Sequence, residues 1–337
     1  MKANEWPRGS VVRAATLDDV DLAVEMFNAR SQAFYGQNQS TIDEMVGWWT
    51  SPRFDLADDS RIVLDGEGRM IGWAHVANPG EPYVTIGCGV IVHPDVEGDD
   101  VLWDGLYAWA LDRAATFVPL APPEAQVVAR ISALDRDAAR RNAAGRSGFG
   151  MVRVENAMRI DLDGEPPAPV WPDGIALRTA DVERDLETIV KADMEAFRDH
   201  WGHVPKSFEL ELEGWQDYVR SKGEKLDPTL WFLAIDGDEI VGCSICAPNV
   251  ADDETRGYVD GLCVRPAWRR RGIALALLHR SFSEFYRRGY EAVELDMDSE
   301  NLTGALGLYE KAGMRVIRQT ITYEKVLRDG VDLVKRA

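Results

Sequence analysis

Two hydrophobic periods, strand-like and helix-like, alternate along this chain, and their order is clearest in its second half. IALRTA (175–180) reads as a short strand. DVERDLETIVKADMEAF (181–197) spaces apolar residues three and four apart and predicts an amphipathic helix, and SFELELEGWQDYVRSK (207–222) predicts another. TLWFLAID (229–236) and EIVGCSICAPN (239–249) are apolar runs joined by Gly-Asp, a hairpin signal. RGYVDGLCV (256–264) predicts a fourth strand, and RGIALALLHRSFSEFYRRG (271–289) a helix with a glycine stop. AVELDMD (292–298) reads as a strand and NLTGALGLYEKAG (301–313) as a helix, after which MRVIRQTI and TYEKVL close the half. The fold class predicted is mixed α/β, with helices covering a largely antiparallel sheet.

The same order occurs earlier. VVRAATLDDVDLAVEMFNARS (11–31) parallels ALRTADVERDLETIVKADMEAF (176–197), and GRSGFGMVRVENAMRIDL (145–162) parallels EKAGMRVIRQTITYEKVL (310–327). Arg13 recurs as Arg178 and Gly148 as Gly313, 165 residues on in both cases; Pro94 recurs as Pro266, 172 residues on, so the loops between differ in length. A tandem duplication is expected. It consists of a tail over 1–10, one domain over 11–162, a Pro/Gly-rich linker over 163–173, a second domain over 174–328 and a tail over 329–337.

Composition narrows the function. The 337 residues are 45% hydrophobic and 28% charged, with a formal net charge of −19. That acidity argues against nucleic acid and anionic membrane surfaces as partners, and favours a cationic acceptor if the charge lines a site. There is no apolar run of the ~20 residues a membrane helix needs, and MKANEWPRGS lacks a leader's apolar core. The expected location is cytoplasmic. Cys243 and Cys246 have the spacing of a redox or zinc pair, but on a strand residues three apart face opposite sides, so structural cysteines are expected. His200 and His203 have no further ligands at metal spacing, and no metal is expected.

One segment runs against the acidity. RPAWRRRGIALALL (265–278) sets Arg269, Arg270, Arg271 and Gly272 between an apolar strand and a helix. The first N–H groups of a helix lack internal partners and carry partial positive charge. Glycine admits a phosphate close to the backbone, and arginine binds phosphate oxygens. Strand, turn and helix together predict a pyrophosphate cradle. A Walker-type loop is absent, and a nuclear-localisation run would lack the embedded glycine and helix.

Arg269-x-x-Gly272-x-Ala274 after Leu262-Cys263-Val264 resembles the acyl-CoA signature of the GNAT superfamily of N-acetyltransferases. AVELDMDSEN followed by ALGLYEKAGM resembles the family downstream, and the likeness covers 173–328 in element order. It implies a GNAT fold in tandem and acetyl-CoA as co-substrate. The backbone of Leu262, Cys263 and Val264 would pair with the pantetheine arm, and amides from Arg269 through Arg270, Arg271, Gly272 and Ile273 to Ala274 would hold the pyrophosphate. Asn301 would bind the cofactor arm, and Tyr309 would be the general acid toward the departing thiolate. For the base, Asp260 is best placed by sequence, with His200 and His203 as rivals and a water chain as a further alternative. His200, Trp201 and His203, in DHWGHVP, are the expected acceptor-binding residues.

The first half lacks this chemistry. Opposite Arg269 to Gly272 stand Glu97, Gly98, Asp99 and Asp100; Leu102 replaces Ala274 and Ala144 replaces Tyr309. The expectation is a degenerate first domain and an N-acetyltransferase site in the second, acting on a small primary amine, in a monomer or homodimer. The layout resembles tandem GNAT enzymes such as mycothiol synthase. The alternatives are a non-catalytic acyl-CoA sensor and an enzyme using a longer acyl chain.

Overall fold

The structure, a computed structural model, describes residues 5–36, 38, 40–52, 54–77, 80–198, 206–223, 226–248, 253–299 and 305–333. The chain forms two compact units. The first comprises Met1–Val154 with Thr320–Leu333, the second Glu155–Gln319 with Val334–Ala337.

The first unit contains strands β1 (Val11–Arg13), β2 (Ser60–Leu64), β3 (Met70–Val76), β4 (Thr85–Val92) and β5 (Val127–Leu134). Its helices are α1 (Val20–Tyr35), α2 (Ile42–Trp49), α3 (Leu56–Asp59), α4 (Asp100–Ala115) and α5 (Ala138–Arg146). Strand β6 (Gly150–Asp161) begins in this unit and continues into the second. The second unit contains β7 (Ile175–Thr179), α6 (Val182–Phe197), α7 (Phe208–Lys222), β8 (Trp231–Asp236), β9 (Glu239–Ala247) and β10 (Arg256–Val264). It continues with α8 (Ile273–Arg287), β11 (Ala292–Asp298), α9 (Ala305–Lys311) and the start of β12 (Arg315–Arg328).

Each half thus runs through the same order of elements, as the duplicated pattern predicts, with the short α3 as an addition in the first. Helices flank a largely antiparallel sheet. The parallel pairs are β4 with β5 and β10 with β11. The closing strands are exchanged. Residues Glu155–Asp161 of β6 pair antiparallel with β11 in the second unit, and Thr320–Arg328 of β12 pair antiparallel with β5 in the first. The expected linker, 163–173, carries no helix or strand, yet the units divide within β6 and β12.

Local physics explains the elements of the second unit. Trp231 and Leu233 of β8 face a core with Ile189 and Ala196 of α6, while Phe232 and Ala234 face the opposite core with Ile273 and Leu277 of α8. Both faces of this central strand are covered, which is why it reads as a continuous apolar run. Asp181 caps α6 through Arg184 N and Ser207 caps α7 through Leu210 N. Cys243 and Cys246 fall in different cores, all four cysteines are free, and Cys243 lies opposite Cys263, sulfur to sulfur 3.2 Å. Among the described residues no group could hold a metal ion, and no helix is long and apolar enough to cross a membrane.

Candidate functional site

The site is built on a strand that parts from its neighbour. β10 and β11 pair only over Arg256–Tyr258 and Ala292–Glu294. Beyond that, among the described residues, Val259 to Val264 have no partner strand on the β11 side. Against β9 the register of β10 slips between Val259 and Gly261, leaving Asp260 as the extra residue of a bulge. The parted strands open a cleft of about 560 Å³, walled by Val259–Val264 on one side and Leu295–Asp298 on the other.

Along this cleft the structure gathers most of the expected residues: Asp260, Leu262, Cys263, Val264, Arg269, Arg270, Gly272, Ile273, Ala274 and Tyr309 all line it. Arg271 does not, and its guanidinium stands 4.0 Å from Asp236. Asn301, His200, Trp201 and His203 lie outside the described residues.

The turn before α8 leaves the helix start uncapped. Gly272, at φ +91°, occupies the N-cap position, contributes no side-chain cap, and has open space where a Cβ would stand. Arg270 is also left-handed, at φ +62°. The first amides of α8 therefore face the cleft without a capping side chain. This fits a phosphate approaching the backbone. The Arg269 side chain is used elsewhere: it donates to Val264 O at 3.1 Å and Ala196 O at 2.7 Å, bracing the end of β10 against α6. Tyr309 on α9 is partly buried beside Leu308, and burial pushes its phenol up to about 12, so it holds its proton at neutral pH.

A second cavity, about 410 Å³, shares Phe197, Asp260 and Gly261 with the cleft. Asp193, Glu211, Trp215, Tyr218 and Ile245 also line it. The Tyr218 hydroxyl donates to Asp260 Oδ2 at 2.5 Å, and burial together with this bond pushes the phenol up. Burial and the neighbouring Glu211 hold the Asp193 carboxyl up at about 7. Sequence reasoning missed Asp193, Tyr218 and the bulge. Two signals were present: an acid on the apolar stripe of α6, and a glycine inside a strand, which marks bulges and close approach.

Residues 186–314 match the acetyltransferase (GNAT) family. The chain is 30% identical to the mycothiol acetyltransferase of Thermobispora bispora over 259 residues, 75% of this chain and 78% of that one. A crystal structure of a GCN5-related N-acetyltransferase from Sphaerobacter thermophilus superposes with a TM-score of 0.81 at 32% identity, covering 97% of this chain and 98% of that one. The chain belongs to the GNAT acetyltransferase family. A tandem GNAT protein from the clavulanic acid biosynthesis pathway, 13% identical, shares the fold with a TM-score of 0.73 over 96% of this chain and all of that one. As a GNAT acetyltransferase this protein is an enzyme, and the family's acetyl donor is acetyl-CoA.

The first unit of this acetyltransferase repeats the split. β4 and β5 pair only over Thr85–Gly87 and Val128–Arg130. Arg30 of α1 donates to Val92 O, at the end of β4, at 2.9 Å and forms a buried ion pair with Asp137, just past β5, tying the strand ends together. His75 covers Gly89 of β4, where an added Cβ would lie 1.9 Å from the ring. Burial and Arg140 lower that histidine to about 4, so it packs as a neutral ring. At the start of α4, Asp99 accepts from Leu102 N at 3.1 Å, closing the helix end that Gly272 leaves open. Asp100 pairs with Arg146 at 2.8 Å, and Ala144 is fully buried.

Proposed function

We propose that the second unit transfers an acetyl group from acetyl-CoA directly to a primary amine, and that the first unit binds no acetyl-CoA. The observation that carries this reading is the juncture at Asp260–Gly261. The cleft with Tyr309 and the start of α8 shares these residues with the acid- and aromatic-lined cavity. Acetyl-CoA supplies the thioester whose carbonyl carbon the amine attacks. The free edge of β10 from Val259 to Val264 orients the pantetheine arm as an added strand would. Gly272, Ile273 and Ala274 offer backbone N–H groups to the pyrophosphate, with Arg270 at the same turn. Asp260, on the acceptor side, takes the amine's proton directly or through water, and Tyr218 holds its carboxylate in place. Tyr309 keeps its proton until the thiolate departs and then donates to the sulfur.

Carboxylates on the acceptor side favour a cationic substrate. The relatives named for mycothiol suggest an amine on a small polar molecule as one acceptor to try. Tyr309→Phe is the test. Thiol release from acetyl-CoA, followed with an amine panel, should fall roughly 10²-fold or more in kcat, with acetyl-CoA affinity retained. Unchanged kcat in that variant would remove Tyr309 from the mechanism.

A further inference from the structure

The acceptor cavity contains a carboxylate that the transfer itself does not use. Among the described residues lining the cavity there is no lysine or arginine. Two of its three carboxylates have partners. Asp260 accepts from Tyr218 at 2.5 Å, and Glu211 stands 3.8 Å from Lys206 Nζ. The Asp193 carboxylate makes no hydrogen bond or ion pair among the described residues. Asp193 lies on α6 one turn, roughly 5 Å along the helix, before Phe197, which lines both cavity and cleft. Trp215, Tyr218 and Phe197 give the space between an aromatic wall.

A partly buried carboxylate without a partner is costly, and a cation is the ligand that relieves it. Aromatic faces add attraction for that same cation. We propose that Asp193 is a specificity-determining residue that holds a second cationic nitrogen of the acceptor, about one helical turn from the amine that is acetylated. The favoured substrates are then diamines and amines with a distal cationic group, as distinct from simple monoamines. This rests on the reading of the second unit as an amine acetyltransferase.

The test compares 1,5-diaminopentane with 1-aminopentane as acceptors for the full-length protein and acetyl-CoA, reading kcat/KM by thiol release. The wild type should prefer the diamine by roughly tenfold or more, the scale of one charge-assisted contact. In Asp193→Asn that ratio should fall to about one. A merely structural role would lower both rates together and keep the ratio, which would overturn the proposal. A wild-type ratio near one overturns it as well, and that measurement stands even if the variant fails to fold. If both amines are acetylated with no preference, only the role of Asp193 is lost. If neither is acetylated while acetyl-CoA still binds, the amine reading is lost with it.

Discussion

Asp193 and Tyr309 are both titratable groups shifted upward by burial, yet only one was legible in the sequence. Tyr309 belongs to a motif, Leu-Tyr-Glu-Lys-x-Gly, whose spacing along one helix is local. Asp193 has no motif, and what marks it is the cavity formed when α6, α7 and β10 come together. Its shift has a consequence for stability. The carboxyl titrates near 3.8 in the unfolded chain and about 7 in the folded one. Between those values the folded protein holds a proton that the unfolded chain has released. The favourable contribution is therefore full below about pH 3.8 and is lost as pH rises through 7. Asp193→Asn removes this titration, so its melting temperature relative to wild type should climb from pH 5 to about pH 7 and level off above it. A difference that stays flat across that range would mean the carboxyl is not shifted upward. A gain in stability from an isosteric change is the mark of a residue retained for function.

The start of α8 and the start of α4 are the same element with opposite ends. The contrast was readable in advance because capping is decided by a few consecutive residues: Arg-Arg-Arg-Gly supplies no capping side chain, and in Glu-Gly-Asp-Asp the Asp99 carboxylate accepts from Leu102 N. Gly272 is held at φ +91°, which a β-branched residue adopts only under strain. In Gly272→Val, acetyl-CoA affinity measured by calorimetry should drop at least tenfold. The wild type should titrate one site per chain. A second site of comparable affinity would mean that the capped α4 end still accepts a phosphate. The bulge at Asp260 was not predicted, since a register slip belongs to two strands together and periodicity within one does not report it. Nor was the tie between the ends of β4 and β5 in the first unit: Arg30 and Asp137 are 107 residues apart, and only the fold brings them together.

At the scale of the whole molecule, the last strand of the chain completes the first unit. Val331 and Gln126 share a backbone hydrogen bond at 2.8 Å, Arg328 donates to Val118 O and Ala125 O, both at 3.1 Å, and β12 covers the edge of β5. Truncation before Thr320 should therefore destabilise residues 11–154 in particular, although they are remote in sequence. Hydrogen exchange should report lost protection along β5 (Val127–Leu134), because that strand would lose one row of ladder bonds and expose an edge. Retained protection there would mean that β12 is dispensable to the first unit. The amino-acid sequence alone determined the element order, the duplication, the uncapped start of α8 at Gly272 and the Asp99 cap of α4, because each is written in short runs of consecutive residues. Tertiary structure alone decided which closing strand joins which sheet. A strand's partner is set by both strands together, and alternation within β6 or β12 alone does not name it. It also decided that Asp193, Tyr218 and Asp260 share one cavity, since they come from α6, α7 and β10, which no local pattern brings together.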